Sequence, residues 1–334
     1  MLVMPAALSA ANQQRVQDSW TASFMFENDL FGDSDQNYTN GIKISWISPD
    51  LTDYRDSERL PGWANALVEK LPLINEPGLQ RNIAFSIGQK IFTPEDVSRT
   101  DLIVDDQPYA GWLFASAAFH NKNERILDTF EIQLGIVGPA SFAEDTQRFV
   151  HRLRDIPEPQ GWNNQLETEP GIVLIGERKQ RLWQYDFHNR FGMDFIGHAG
   201  IGVGNIHTYA NTGVEARFGW NIPRDFGSSV IRPGGDTNAP ADSSDPRIGG
   251  NPFSAHLFAA ITGAAVARNL FLDGNTFSSS HSVDKKHFVG DLVLGASMVI
   301  SRVKISYAQV FRSREFDQQT DKHEFGSVSL SYTF

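Results

Sequence analysis

The chain ends in GSVSLSYTF, Gly326–Phe334, and the reading of that stretch decides the fold. Val328, Leu330, Tyr332 and Phe334 alternate with Ser327, Ser329, Ser331 and Thr333, the period of two that a strand with one apolar and one polar face produces. The same beat recurs upstream. Trp20, Ala22, Phe24 and Phe26 alternate with Thr21, Ser23, Met25 and Glu27; Ile42, Ile44 and Trp46 with Lys43 and Ser45. Phe130, Ile132, Leu134 and Ile136 alternate with Glu131 and Gln133; Val303, Ile305 and Tyr307 with Lys304, Ser306 and Ala308. A soluble sandwich also alternates, but these runs exceed the usual length of about five or six residues.

An apolar face beside one of Lys, Glu, Gln and Ser suits lipid outside and a polar lumen within. The aromatic last residue resembles the closing strand of bacterial outer-membrane barrels. The expected fold is therefore all-β: a transmembrane antiparallel β-barrel of about twelve strands, with a short helix in an extracellular loop. The strands are placed at 20–28, 38–48, 81–92, 109–121, 126–138, 170–187, 189–204, 207–219, 253–264, 285–300, 301–314 and 321–334. Connections 49–80 and 220–252 are long for the periplasmic side; Trp63–Leu71 reads as a helix, and Gly227–Gly250 as a loose loop.

Composition sets bounds. At 334 residues a barrel is one domain, expected over 12–334, after an apolar segment at 1–11 that reads as a signal-peptide remnant. No run of about eighteen apolar residues exists, which excludes a helical membrane protein. A net charge of −11 argues against nucleic acid and allows carboxylate sites for a divalent cation. The absence of cysteine excludes thiolate chemistry and cysteine-bound zinc. No obligate protein partner is implied.

Gly138–Gly171 holds the expected helix. Ser141 and Glu144 have the spacing of a capping box. Phe142, Phe149, Val150 and Leu153 share one side, and Pro157 and Pro159 follow its end. Gln147 and His151, four apart, are neighbours on the opposite side, read as solvated, where an imidazole beside an amide is a candidate catalytic group. In a meander starting from a periplasmic N-terminus, the polar clusters fall largely on the outer rim. Asn28-Asp29, Asp33, Asp35, Asn37 and Tyr38-Thr39-Asn40-Gly41 come first, then Asp96 and Arg99, Gln147 and His151, and Asp273-Gly274-Asn275. They are expected to meet at one mouth. Asn-Asp and Asn-Gly are also ordinary turn formers.

The motifs FENDLF, NYTNG, IGQKIFTPED, QPYAGW, LGIVGPA, Q-x3-H, GWNNQLETEPG and LFLDGNTF, in that order, resemble the LpxR-type lipid A 3′-O-deacylases, twelve-stranded barrels of Gram-negative outer membranes. The resemblance implies calcium-dependent hydrolysis of an acyl ester of lipid A, at a site facing the outer leaflet. It makes His151 the catalytic base, with Asn28, Asp29, Thr39 and Gln147 matching the family's other site positions; Asp29 with an Asn28 oxygen is expected to hold Ca2+ as hard oxygen ligands. Where the family carries a basic pair that binds the anionic sugar core, Ser98 and Arg99 stand here, so Arg99 alone is the expected substrate-binding residue. Two other classes compete: a porin-like barrel without chemistry, and an outer-membrane phospholipase using a serine near histidine, for which His281-Ser282 is the nearest pattern.

Overall fold

The computed structural model describes residues 18–29, 37–51, 79–227, 230–232, 236–249 and 251–334. The segment 1–11, Asp33, Asp35 and the helix expected over Trp63–Leu71 lie outside the described residues. Twelve antiparallel strands form a closed barrel in meander order. They are β1 Thr21–Asn28, β2 Asn37–Ile47, β3 Gln80–Thr93, β4 Ala110–Lys122, β5 Ile126–Val137, β6 Glu169–Asp186, β7 Phe191–Gly204, β8 His207–Trp220, β9 Phe253–Asn269, β10 Phe288–Ile300, β11 Val303–Arg312 and β12 His323–Thr333. The terminal strand closes the sheet on β1, Phe24 opposite Leu330 and Glu27 opposite Ser327. Closure leaves no sheet edge, as a span through hydrocarbon requires.

Burial is inverted relative to a soluble protein. Ile261 is 64 % exposed on the outer face, while Lys304 is 1 % exposed inside. Leu330 and Tyr332 point outward; Ser327, Ser329 and Ser331 point in. The exposed belt is what lipid covers. Near the chain termini, rings cluster on the wall: Trp183 stacks on Tyr185 at 6.0 Å, and Tyr332 on Phe334 at 5.7 Å.

The lumen is filled from the terminal rim. The β8–β9 connection, expected to be a loose loop, instead folds inward over its described residues. Asp225 accepts from Arg217 at 2.7 Å, Lys304 at 2.7 Å and Arg247 at 3.1 Å, all fully buried. Arg217 also grips Asp194 through both of its carboxylate oxygens. Phe226 and Ala241 pack on Leu127 and Ile196 of the wall, and Ser45 donates to Asp236 at 2.6 Å. Asp225, just before the stretch read as loose, and Asp236 within it bind side chains of the wall.

At the opposite rim the connections hold one another. Asn275 and Glu167 exchange hydrogen bonds of 2.9 Å in both directions. His281 Nε2 donates to the Asp106 carbonyl, and Gln160 N to the Val97 carbonyl. Beneath this roof Trp112, Phe114, Leu166, Ile206 and Phe271 form an apolar cluster inside the barrel.

Candidate active site

The helix α1 spans Ala143–Leu153. Its start differs from the expected capping box. Ser141 belongs to a 3-10 turn, Pro139–Ser141, and its Oγ donates back to the Gly138 carbonyl at 2.6 Å. Phe142 occupies the cap position at φ 57°, with no side-chain cap bond. Glycine at 138, φ +81°, lets the chain leave β5 and turn sharply onto the wall. Glu144 and Asp145 in the first turn and Arg152 in the last complement the helix dipole.

The orientation of α1 also differs from the expectation. Gln147 and His151 are buried, whereas Phe142, Phe149 and Leu153 are exposed. The reason is where the helix sits. Along β1, β2 and β3, Glu27, Tyr38, Lys90 and Phe92 line a cavity of about 180 Å³ inside the lumen. Their sequence neighbours Asn28, Thr39 and Ile91 line a separate cavity of about 20 Å³ under α1. Side chains alternate across a sheet, so α1 lies on the outer, lipid side of the wall, not over the mouth. Its polar side covers polar wall residues and its apolar side continues the exposed belt.

Close approach depends on small residues. A Cβ on Gly111 would lie 2.0 Å from Ser141 Oγ and 2.2 Å from Ala143 Cβ. Gln89 Nε2 donates to the Ser141 carbonyl at 2.7 Å, and Ile91, Tyr109, Ala143 and Trp162 pack into one cluster.

The structure brings Asn28, Thr39, Gln147 and His151 to this one cavity, with Asn40, Thr146, Val150 and Arg154. Its volume of about 20 Å³ accommodates roughly one water molecule. Thr39 is where the β2–β3 register shifts; that bulge turns Thr39 and Asn40 to the same side, as bulges near sites do. Thr39 Oγ1 bonds Thr93 Oγ1 at 2.6 Å, and Asn28 Nδ2 donates to the Thr39 carbonyl at 3.0 Å. His151 Nδ1 lies 2.6 Å from the Pro157 carbonyl oxygen. That oxygen can only accept, so Nδ1 carries a proton, which in the neutral ring leaves the lone pair on Nε2. Gln147 Oε1 accepts from Trp162 Nε1 at 2.9 Å. This bond fixes the amide and leaves its buried Nε2 as a donor with no partner among the described residues.

Asp29 is buried beside Asn28 but does not line the cavity. Arg99 is elsewhere: exposed in the β3–β4 connection and held by both carboxylate oxygens of Asp101. Each holds the other charged, Asp101 below the usual carboxylate range and Arg99 above its ordinary value, through that hydrogen bond. For a calcium ion the donors fit in kind: the Asp29 carboxylate and the Asn28 amide oxygen are hard ligands. Among the described residues no three of His, Cys, Asp and Glu gather into a metal-binding group.

Sequence reading missed Ile91, Trp162 and Arg154 as parts of the site. Arg154 was within reach, since Gln147, His151 and Arg154 follow the i, i+4, i+7 spacing of one helix face.

A family model described as outer membrane protein LpxR matches residues 1–334. Among solved structures, LpxR from Salmonella typhimurium is similar in fold, with a TM-score of 0.74 at 17% identity, covering 94% of this chain and 100% of that one. The β domain of the Bordetella autotransporter Brka covers 94% of this chain and 98% of its own at 10% identity, with a TM-score of 0.44. No curated protein sequence matches the chain. By the family match over its whole length, the chain belongs to the LpxR family of outer-membrane proteins.

Proposed function

We propose that this protein is an ester hydrolase that removes an O-linked acyl group, the 3′-acyloxyacyl chain, from lipid A in the outer leaflet. One observation carries the reading: His151, Gln147, Asn28 and Thr39 share a water-sized cavity on the lipid side of the wall. A substrate embedded in the membrane reaches that place sideways, without entering the lumen. The family supports the reaction class. The aromatic cluster beside the chain termini marks one interface and supports placing the α1 rim at the cell surface.

In the mechanism, a water in the cavity gives a proton to His151 Nε2 as its oxygen attacks the ester carbonyl. The Pro157 carbonyl holds the ring and stabilises the imidazolium that forms. Gln147 Nε2–H donates to the carbonyl oxygen as it becomes an oxyanion. His151 then returns the proton to the leaving alkoxide, giving a free fatty acid and a lipid hydroxyl. Thr39 and Asn28 shape the polar wall that orients the water. Asn28 and Asp29 would hold Ca2+, which supplies further charge stabilisation to the oxyanion when bound.

The test is incubation of the purified protein with lipopolysaccharide and with phosphatidylcholine, with and without EDTA, followed by mass spectrometry of the lipids. Loss of one acyl chain from lipid A alone, blocked by EDTA and absent in His151→Ala, is the expected result. Undiminished deacylation by His151→Ala would overturn the assignment. Neither competing class gains from the structure: the described part of the β8–β9 connection occupies the terminal end of the lumen, and His281 bonds a backbone carbonyl rather than Ser282.

A further inference from the structure

We propose that Arg154 is an oxyanion subsite at the edge of the cavity under α1, docking a phosphate or sugar-acid carboxylate of the lipid headgroup; the inference rests on the deacylase reading. Arg154 is the residue that ends α1, and it lines the cavity together with His151, Asn28 and Thr39. The other two arginines of the helix are engaged: Arg148 pairs with Glu144 at 2.9 Å, and Arg152 lies 3.8 Å from Glu158. Arg154 is exposed, and its guanidinium has no carboxylate or hydrogen-bond partner among the described residues.

Three features make this more than a surface charge. The side chain borders the same small space as the base, so an anion bound to it is held next to the scissile position. The opposite side of the same helix carries exposed Phe149 and Leu153, so one short element presents a guanidinium at its end and apolar groups along its outer side, the order in which a lipid presents headgroup and chains. Arg99, the cation expected to bind the headgroup, is occupied by Asp101. A guanidinium offers a fork of donors that matches the planar edge of a carboxylate or phosphate. Arg154 is thus a positioning residue: it selects and orients the lipid, and His151 performs the chemistry.

The experiment compares Arg154→Ala, Arg154→Lys and Arg152→Ala in purified full-length protein. The substrates are bis-phosphorylated lipid A, the same lipid after dephosphorylation, and a dephosphorylated form carrying acidic sugars. Steady-state kinetics give KM and kcat, and direct lipid binding is measured in a His151→Ala background, where no hydrolysis interferes. Arg154→Ala is expected to raise KM and weaken binding about tenfold for an anionic lipid, with kcat within about twofold. The dephosphorylated lipid should show no change, Arg154→Lys should recover part of the loss, and Arg152→Ala should match the parent. The anionic arm that responds identifies whether phosphate or carboxylate is bound. Equal effects on charged and neutral lipids, or binding unchanged by Arg154→Ala, would overturn the subsite. Should no lipid be hydrolysed by the parent protein, the deacylase reading fails, and the binding arm still decides Arg154.

Discussion

His151 Nδ1 donates to the carbonyl oxygen of Pro157 at 2.6 Å, so the ring is positioned by the strap that follows the helix it sits on. The chain doubles back there, Ile156 N also bonding the His151 carbonyl at 3.0 Å. Proline keeps that strap stiff by fixing φ. Pro157→Gly should therefore leave the barrel folded while letting the acceptor wander. A misplaced base costs roughly 10- to 100-fold in rate, so kcat should fall by about that range with KM nearly unchanged. Steady-state kinetics check it, with cavity residues left as they are.

Gln147 is oriented by Trp162, whose indole N–H occupies the amide oxygen. The amide N–H is then the end available to an oxyanion. Gln147→Leu removes the donor and should lower kcat by about 100- to 1,000-fold, the scale of one lost oxyanion donor. Trp162→Phe keeps the ring packing but frees the amide to rotate, so a smaller loss is expected. In the double variant the two losses should not add, because both act through one hydrogen bond. Additive losses would show that Trp162 acts by another route.

Much of this was legible in the sequence, and the rest was hidden for physical reasons. Alternation at Ser327–Phe334 and its upstream counterparts located twelve strands because lipid and lumen impose opposite polarity on adjacent residues. β9 was read as ending at 264 but continues to Asn269, since Ala264-Ala265-Val266-Ala267 carries no polar contrast to alternate. Helix α1 was found, but its two faces were assigned as if water surrounded it. With lipid outside, Phe149 belongs on the open side and Gln147 on the covered one. Asp225 could not be read, because its partner Lys304 is 79 positions away.

Gly111 sets how closely α1 lies on the wall. Any Cβ there overlaps Ser141 and Ala143, and in Gly111→Val the helix must lift by the width of the added group. The wall itself is unaffected, since valine suits a strand. Loss of nearly all hydrolysis, with unchanged heat-resistant mobility of the folded barrel on gels, is the expected outcome. A fully active Gly111→Val would mean that the contact of α1 with β4 is dispensable.

The outward face of α1 makes a different demand. Phe149 and Leu153 are exposed and meet lipid if α1 lies against the outer wall in the membrane. Phe149→Asp with Leu153→Asp would place two carboxylates against acyl chains. Hydrolysis in reconstituted bilayers should drop by up to about tenfold, since a charge near the interface costs up to about 1 kcal/mol per group. Activity on lipid dispersed in detergent should change little, because neither residue lines the cavity. Equal losses in both settings would show that the helix itself had unfolded.

Asp225 tests the reading of the barrel as a filled one. Its carboxylate faces Lys304, Arg217 and Arg247 in the buried lumen. Asp225→Asn keeps the shape and removes the negative charge, leaving three cations to repel one another. Removing one partner of a buried ion pair costs about 3–5 kcal/mol, so the urea midpoint in detergent should move down markedly. The same packing predicts that the parent protein shows no steady single-channel conductance in planar bilayers, because the β8–β9 connection occupies the space through which ions would pass. If Asp225→Asn instead left stability unchanged and the parent conducted, the connection would have to leave the lumen in the membrane, and the porin reading would return.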